Sequence, residues 1–383
     1  VAGAAEPPVL VAADAIQPQL AIADDGTLHV VAIHAGNIAV AASRDGGKTF
    51  APPVIAIDAG GRATGGLQRG PRIGIAGKGR ITVTAPVVID EAEREKRYPV
   101  AELLLAVSED GGKTWGRPVR VNEAAKKAPE ALHWLAVGPS GEAFVAWLDI
   151  RGRKQGQDLF LAAARGAEVG RNVKAASQVC ECCAPGIAAG GDGGVTLAYR
   201  EGGDRPSREI YLLSARPDTG PAGKPLRLNR EPSGLRTCPM SAPAVAISRD
   251  GKRVAAAWMD QRSGKDARDV FWAFVDAGKV GLDEVVHAEA KGDQDHPSLA
   301  FDEAGAAWIA WEDRRSGKKR IHVRSSRPED PDTPLTGEDE GTVSFPALAA
   351  ASGLVAVAYE SNRDGEDRVF LRVVRSGAGS SRK

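Results

Sequence analysis

An all-β ring of seven four-stranded blades, a β-propeller, is the fold this sequence predicts. Three observations predict it. Long helical periodicity is absent, and short apolar segments rich in Val, Ala and Ile alternate instead with Gly, Asp and Pro turns. These segments recur roughly every 50 to 60 residues, in the range of propeller repeats. The two ends of the chain also complement each other. The seventh repeat stops short of its fourth strand, while the N-terminal "EPPVLVAAD" (6–14) matches "APPVIAID" (51–58), the fourth strand of the first repeat. An N-terminal strand that closes the last blade leaves no unpaired sheet edge. A six-bladed ring is the alternative; an open β-solenoid would not explain the matching termini.

First strands are expected to begin near Pro18, Pro71, Leu132, Pro185, Pro243, Pro297 and Pro346. Second strands follow after a turn, as in "GEAFVAWLD", "VTLAYRE", "RVAAAWMD", "AAWIAWED" and "LVAVAYES". Third strands are "NIAVAAS", "ELLLAVS", "DLFLAAA", "EIYLLSA", "DVFWAFV", "RIHVRSS" and "RVFLRVV". Residues 1–376 are expected to form one domain, with 377–383 as a disordered tail.

Composition narrows the partners. Lys plus Arg equals Asp plus Glu, 50 each, so there is no electrostatic case for nucleic acid or an anionic membrane. No apolar run approaches the roughly 18 residues of a membrane span. The start "VAGAAEPPVL" lacks a basic n-region and an apolar h-region. It reads as a chain relieved of an export signal, so a periplasmic or secreted monomer is expected.

Two turns between third and fourth strands share one pattern: "SRDGGKTF" (Ser43, Asp45, Gly47, Thr49, Phe50) and "SEDGGKTW" (Ser108, Asp110, Gly112, Thr114, Trp115). The Asp can accept hydrogen bonds from turn amides, glycine supplies positive φ, and the aromatic packs between strands. The pattern resembles the Asp-box, S-x-D-x-G-x-T-W, of the sialidase-like, or BNR-repeat, superfamily. A similar "SRDG" at 248–251 lies between first and second strands and is not counted as a box. The resemblance implies a propeller and, in its enzymes, an Arg-Ile-Pro segment, an arginine triad for a substrate carboxylate and a Tyr/Glu pair. Here Arg72-Ile73 is followed by Gly74, and Tyr359-Glu360 are neighbours in one strand that must face opposite ways. A non-sialidase member is therefore expected, with Arg72 kept as a substrate-binding candidate.

Another element recurs: "WLDIR", "WMDQR", "WEDRR" and "YESNR". Asp149, Arg151, Asp260, Arg262, Asp313 and Arg315 could ring a substrate funnel, for a glycan hydrolase or lyase. The structural alternative is that each Asp caps a loop while each Arg bridges to a neighbouring blade. Recurrence favours the structural role, because one active site rarely needs the same pair four times.

All four cysteines lie in two links, "CECCAP" into blade four and "TCPMSAP" into blade five. These links occupy equivalent places in adjacent blades, so Cys180, Cys182, Cys183 and Cys238 should meet near the channel mouth. Met240, His296 and His133 sit on links aimed at the same mouth. Thiolate, thioether and imidazole together favour a soft metal, copper first and zinc second. The alternatives are a disulfide joining one of the three clustered cysteines to Cys238, with no metal, and a redox or nucleophilic cysteine. The expected partner is thus a metal ion or small ligand at the mouth. A glycan enzyme and a disulfide-stiffened protein-binding scaffold are the other two functions carried forward.

Overall fold

The computed structural model describes residues 6–374 apart from 64, 67, 78, 95, 97–99, 129–131, 153–155, 203–207, 265–267, 288 and 290. The tail expected at 377–383 lies outside the described residues. Seven antiparallel sheets follow one another along the chain. The first strands of blades one to seven are Ala15–Ile22, Arg72–Ala76, His133–Val137, Gly186–Ala189, Ala244–Ile247, Gln294–Phe301 and Thr342–Ala351. The second strands are Leu28–His34, Arg80–Val87, Ala143–Asp149, Val195–Arg200, Arg253–Asp260, Ala307–Asp313 and Leu354–Arg363. One short helical turn, Glu91–Arg94, sits between the second and third strands of blade two.

The chain closes at its own N-terminus. Val9–Ala13 pairs antiparallel with Glu366–Val374, the third strand of blade seven, with Val9 opposite Leu371 and Ala13 opposite Arg368. Glu6 extends the seam: its N–H donates to the Val373 carbonyl at 3.2 Å, and its carbonyl accepts from Arg372 Nη1 at 2.8 Å.

The blades cohere through what lies between them. Each of seven apolar clusters straddles one junction between neighbouring blades. In the second strand of blade three, Val145 and Trp147 pack towards blade two, while Phe144, Ala146 and Leu148 pack towards blade four. A strand covered on both faces is mostly apolar, which is why second strands read as near-continuous apolar runs.

The two Ser-x-Asp turns are built alike. Asp45 accepts from the Lys48 and Thr49 amides at 3.0 Å and from Thr49 Oγ1 at 2.6 Å. Asp110 accepts from the Lys113 and Thr114 amides and from Thr114 Oγ1 at the same or nearly the same distances. Gly47 and Gly112 adopt φ of +88° and +84°, and Phe50 and Trp115 pack against the blade cores.

The Trp-x-Asp-x-Arg element is a latch inside blades three, five and six. Trp147, Trp258 and Trp311 donate their indole N–H to Asp149, Asp260 and Asp313 at 3.0–3.1 Å. Arg151 turns back on Asp149 and reaches Asn172, Arg262 reaches Asp283, and Arg315 reaches Asp332. Arg151 and Arg262 also lie over the rings of Phe160 and Phe271. The partners of Arg262 and Arg315 lie in the arginine's own blade, which corrects the expectation of bridges to neighbouring blades for these two; Arg151 also lies 3.7 Å from Glu123, which follows the last strand of blade two. Guanidinium groups so engaged tie the second strand to the outer strands.

Deleting residues 6–13 should leave the last blade with an open edge. The expected outcome is a melting temperature lower by on the order of 10 °C and concentration-dependent aggregation, read by scanning fluorimetry and light scattering. An unchanged monomer would refute the closure role.

Candidate functional site

Four-to-first-strand links and second-to-third-strand loops share one face, the link face. First-to-second and third-to-fourth-strand turns share the other, the turn face. The cysteines lie on the link face. Cys180 follows directly on Val173–Val179, the outermost strand of blade three, and its amide donates to the Arg200 carbonyl at 2.9 Å. Gly202 makes this approach possible, since an added Cβ there would lie 2.8 Å from the Cys180 nitrogen. The link then turns at once, bringing Cys182 and Cys183 back beside Cys180.

The sulfurs converge. Cys180 Sγ lies 3.5 Å from both Cys182 Sγ and Cys183 Sγ, and Cys182 and Cys183 are 3.9 Å apart. Cys182 and Cys238 are joined as a disulfide across a Cα separation of 6.3 Å, stapling the blade-four link to the blade-five link. Cys180 and Cys183 are free thiols. Ligand atoms of Cys180, Cys182 and Cys238 all fall within 4.8 Å of one another, and among the described residues no histidine joins that group. The three run from buried through half-buried to exposed, forming a pit with Cys180 at its floor and Cys238 at its rim.

The pit is electropositive. Arg208 Nη1 lies 3.2 Å from Cys180 Sγ. Arg200 is buried, and its two amino groups donate to the Arg208 and Met259 carbonyls. Hydrogen bonding with Cys183 outweighs burial and, with the Cys182 amide and the two arginines, lowers Cys180 to about 6. Burial pushes Cys183 well above the ordinary thiol range. One thiol is thus prepared as thiolate and its neighbour held as proton donor.

The three further ligand candidates make other contacts. His133 is buried in blade three, where Nε2 sits 3.0 Å from Thr84 Oγ1 of blade two. That places it in a blade junction, which corrects its expected position at the mouth. Met240 meets the mouth through its backbone: its carbonyl lies 3.3 Å from His296 Nε2. His296 Nδ1 lies 3.1 Å from Glu312, whose other oxygen is 2.9 Å from Lys319. Burial opposes charge on His296, but the Asp295 and Glu312 carboxylates prevail and raise it to about 9. Burial likewise opposes charge on Glu312, and His296 and Lys319 overcome it, lowering Glu312 to about 2.

Arg72 lines the axial mouth, and Tyr359 and Glu360 point apart. The Tyr359 hydroxyl pairs with Glu340 in the junction behind blade seven, while Glu360 accepts the Gln17 amide at 3.0 Å. Burial raises Glu360 above the ordinary carboxylate range. Glu312, Lys319 and Gln17 were not singled out by sequence, and Glu360 was weighed only as the neighbour of Tyr359. The available signal was a polar or aromatic residue just before the link proline. Gln17, His296 and Phe345 precede Pro18, Pro297 and Pro346, sit at bulges in their strands, and adopt φ of 54°, 49° and 52°. Such backbone is costly for side chains other than glycine and collects at functional positions.

The two faces differ in room. Gln68 Oε1 accepts the Ala242 amide at 2.6 Å across the axis, and the cavity left at the link-face mouth holds only about 20 Å³. The turn face opens into a funnel of about 1630 Å³, lined by residues including Ile75, Val137, Asp192, Lys252 and Glu303 and by no cysteine or histidine.

The sheet order and junctions now bear comparison with solved structures. A Penicillium chrysogenum α-L-arabinanase complexed with arabinobiose is similar over 97% of this chain and 98% of that one, at TM-score 0.54 and 14% identity. An ulvan lyase of a polysaccharide lyase family is similar over 97% and 98%, at TM-score 0.63 and 12% identity. A Trypanosoma rangeli sialidase matches 79% of this chain and 53% of that one, at TM-score 0.50 and 11% identity. The fold is a seven-bladed β-propeller. No protein-family profile matches the chain, and no curated protein matches it. At these identities the likeness speaks to the fold alone.

The His296–Glu312 pair sets a pH dependence. His296, raised from 6.5, stabilises fully below pH 6.5 and loses its contribution as pH rises through about 9. Glu312, lowered from 4.5, contributes fully above pH 4.5 and loses it as pH falls through about 2. Melting temperature should therefore fall more steeply between pH 6.5 and 9 in the wild type than in His296→Gln. Parallel curves would show that the pair does not titrate with folding.

Proposed function

We propose that this sialidase-like propeller captures a soft cation, Cu(I) before Zn(II), in its cysteine pit. The observation that carries the reading is the convergence of Cys180, Cys182 and Cys238 Sγ within 4.8 Å, with Cys183 alongside Cys180. Thiolates so close repel one another, and a cation relieves that repulsion. Sulfur-only coordination suits Cu(I) best and Zn(II) next. The metal-binding form is the reduced one: a dithiol reductant gives two electrons and two protons to the Cys182–Cys238 disulfide, yielding two thiols and becoming a disulfide itself. The disulfide form fits a periplasmic or secreted setting, where such bonds persist.

Competition between reduced protein and a chromogenic Cu(I) chelator should find one Cu(I) per chain. Cys180→Ser and Cys238→Ser should each weaken binding at least ~100-fold, more than outer-sphere changes do. Met240→Leu should change it less than Cys238→Ser, because a thioether carries no charge. No copper uptake by the reduced protein would overturn the reading.

A second reading is glycan chemistry. The structural neighbours include an arabinanase and an ulvan lyase, and Glu360 is a carboxyl raised by burial, as a general acid requires. The mouth beside it is too small for a sugar ring, which favours the first reading. Turnover of arabinan, ulvan or a sialoside that vanishes in Glu360→Gln would reverse that preference.

A further inference from the structure

Arg72 is a buried cation without a counter-charge. It is 4% exposed. Nη1 donates to the Gly70 and Pro71 carbonyls at 2.9 and 3.0 Å, Nη2 donates to the Gln68 carbonyl at 2.7 Å, and the guanidinium lies 4.1 Å from the centre of the Trp134 ring. Nε has no hydrogen-bond partner among the described residues. Arg151, Arg262, Arg315 and Arg372 each meet a carboxylate, whereas Arg200 and Arg320 are, like Arg72, buried and donate to backbone carbonyls; what sets Arg72 apart is the cavity it lines. Among the described residues, no carboxylate stands within ion-pair distance of Arg72. Carbonyl dipoles replace part of its lost hydration but leave the charge itself uncompensated, and burying an unpaired charge is costly. Burial alone brings the group down to about 9.

What Arg72 faces is complementary to an anion. The cavity of about 20 Å³ at the link-face mouth is lined by Arg72, Trp134, Gln17, Gln68, His296 and Phe345, with the prolines that follow the strained residues. Gln17 is 3% exposed, and both atoms of its side-chain amide lack partners. Its backbone is held in place by φ of 54° and the hydrogen bond to Glu360. Of the nearby acids, Glu312 is committed to His296 and Lys319 and Asp295 to Arg268, while Glu360 accepts the Gln17 amide and is raised by burial, which favours its neutral form. A cavity this size admits about one water or an ion of similar volume.

We propose that the axial cavity binds one small monovalent anion of halide size, held by Arg72 Nε and the Gln17 side-chain amide. This site is separate from the cysteine pit and does not depend on it. It would neutralise Arg72 and lock blades one, two and three together at the axis.

Bromide serves as the probe. Crystals of the full chain soaked in bromide should give an anomalous peak within hydrogen-bonding reach of Arg72 Nε and Gln17 Nε2. In solution, chloride should raise the melting temperature saturably relative to gluconate at matched ionic strength. Gln17→Leu keeps Arg72 and removes one donor, so it should weaken the halide dependence about tenfold. Arg72→Met should abolish both the peak and the halide dependence. Should Arg72→Met fail to fold, Gln17→Leu and the bromide peak still decide the matter. Water density at the site in bromide crystals, or equal melting curves in chloride and gluconate, would overturn the proposal.

Discussion

Hydrogen bonding between Val9–Ala13 and the last strand of the chain is the constraint on which the molecule depends. It turns a row of seven sheets into a ring. Only in a ring does every blade have two neighbours, and only then does each second strand gain an apolar covering on both faces. Closure also fixes the first strands around one axis. The links that feed them must then meet on a single face, whatever their sequences.

The chemistry on that face follows from this geometry. Blades four and five bring their links side by side, so cysteines 56 residues apart become bonded neighbours. Blades one, six and seven turn into their first strands through a strained residue and a proline, placing Gln17, His296 and Phe345 around the mouth. Gln68 crosses from blade two and narrows what remains. The result is a face with two small sites of opposite preference, a sulfur-lined pit for a cation and an axial cavity facing Arg72. The spacious funnel lies at the other end and carries none of the sulfur or imidazole chemistry.

Much of this architecture was legible in the sequence. Period, strand runs and the resemblance of residues 6–14 to 51–58 defined seven blades and their closure. Equivalent link positions placed the four cysteines together before any coordinates. The misreadings have a common cause: sequence position states which face a residue occupies, not what its side chain meets there. His133 stands on the right strand but turns into a blade junction beside Thr84. Arg262 and Arg315, expected to bridge to neighbouring blades, close on acceptors in their own, while Arg151 reaches both Asn172 in its own blade and Glu123 beyond the last strand of blade two. Glu312 was hidden inside a strand run, and Glu360 was seen only as the neighbour of Tyr359, because burial and partner charges exist only in the folded ring. The missing counter-charge of Arg72 is invisible for the same reason.

X-ray absorption at the copper edge of reduced, Cu(I)-loaded protein tests the central claim most directly. The account predicts a first shell of sulfur alone, near the ~2.3 Å typical of metal–thiolate bonds, that loses a scatterer in Cys238→Ser. A shell dominated by nitrogen or oxygen, or one unchanged by that substitution, would contradict it.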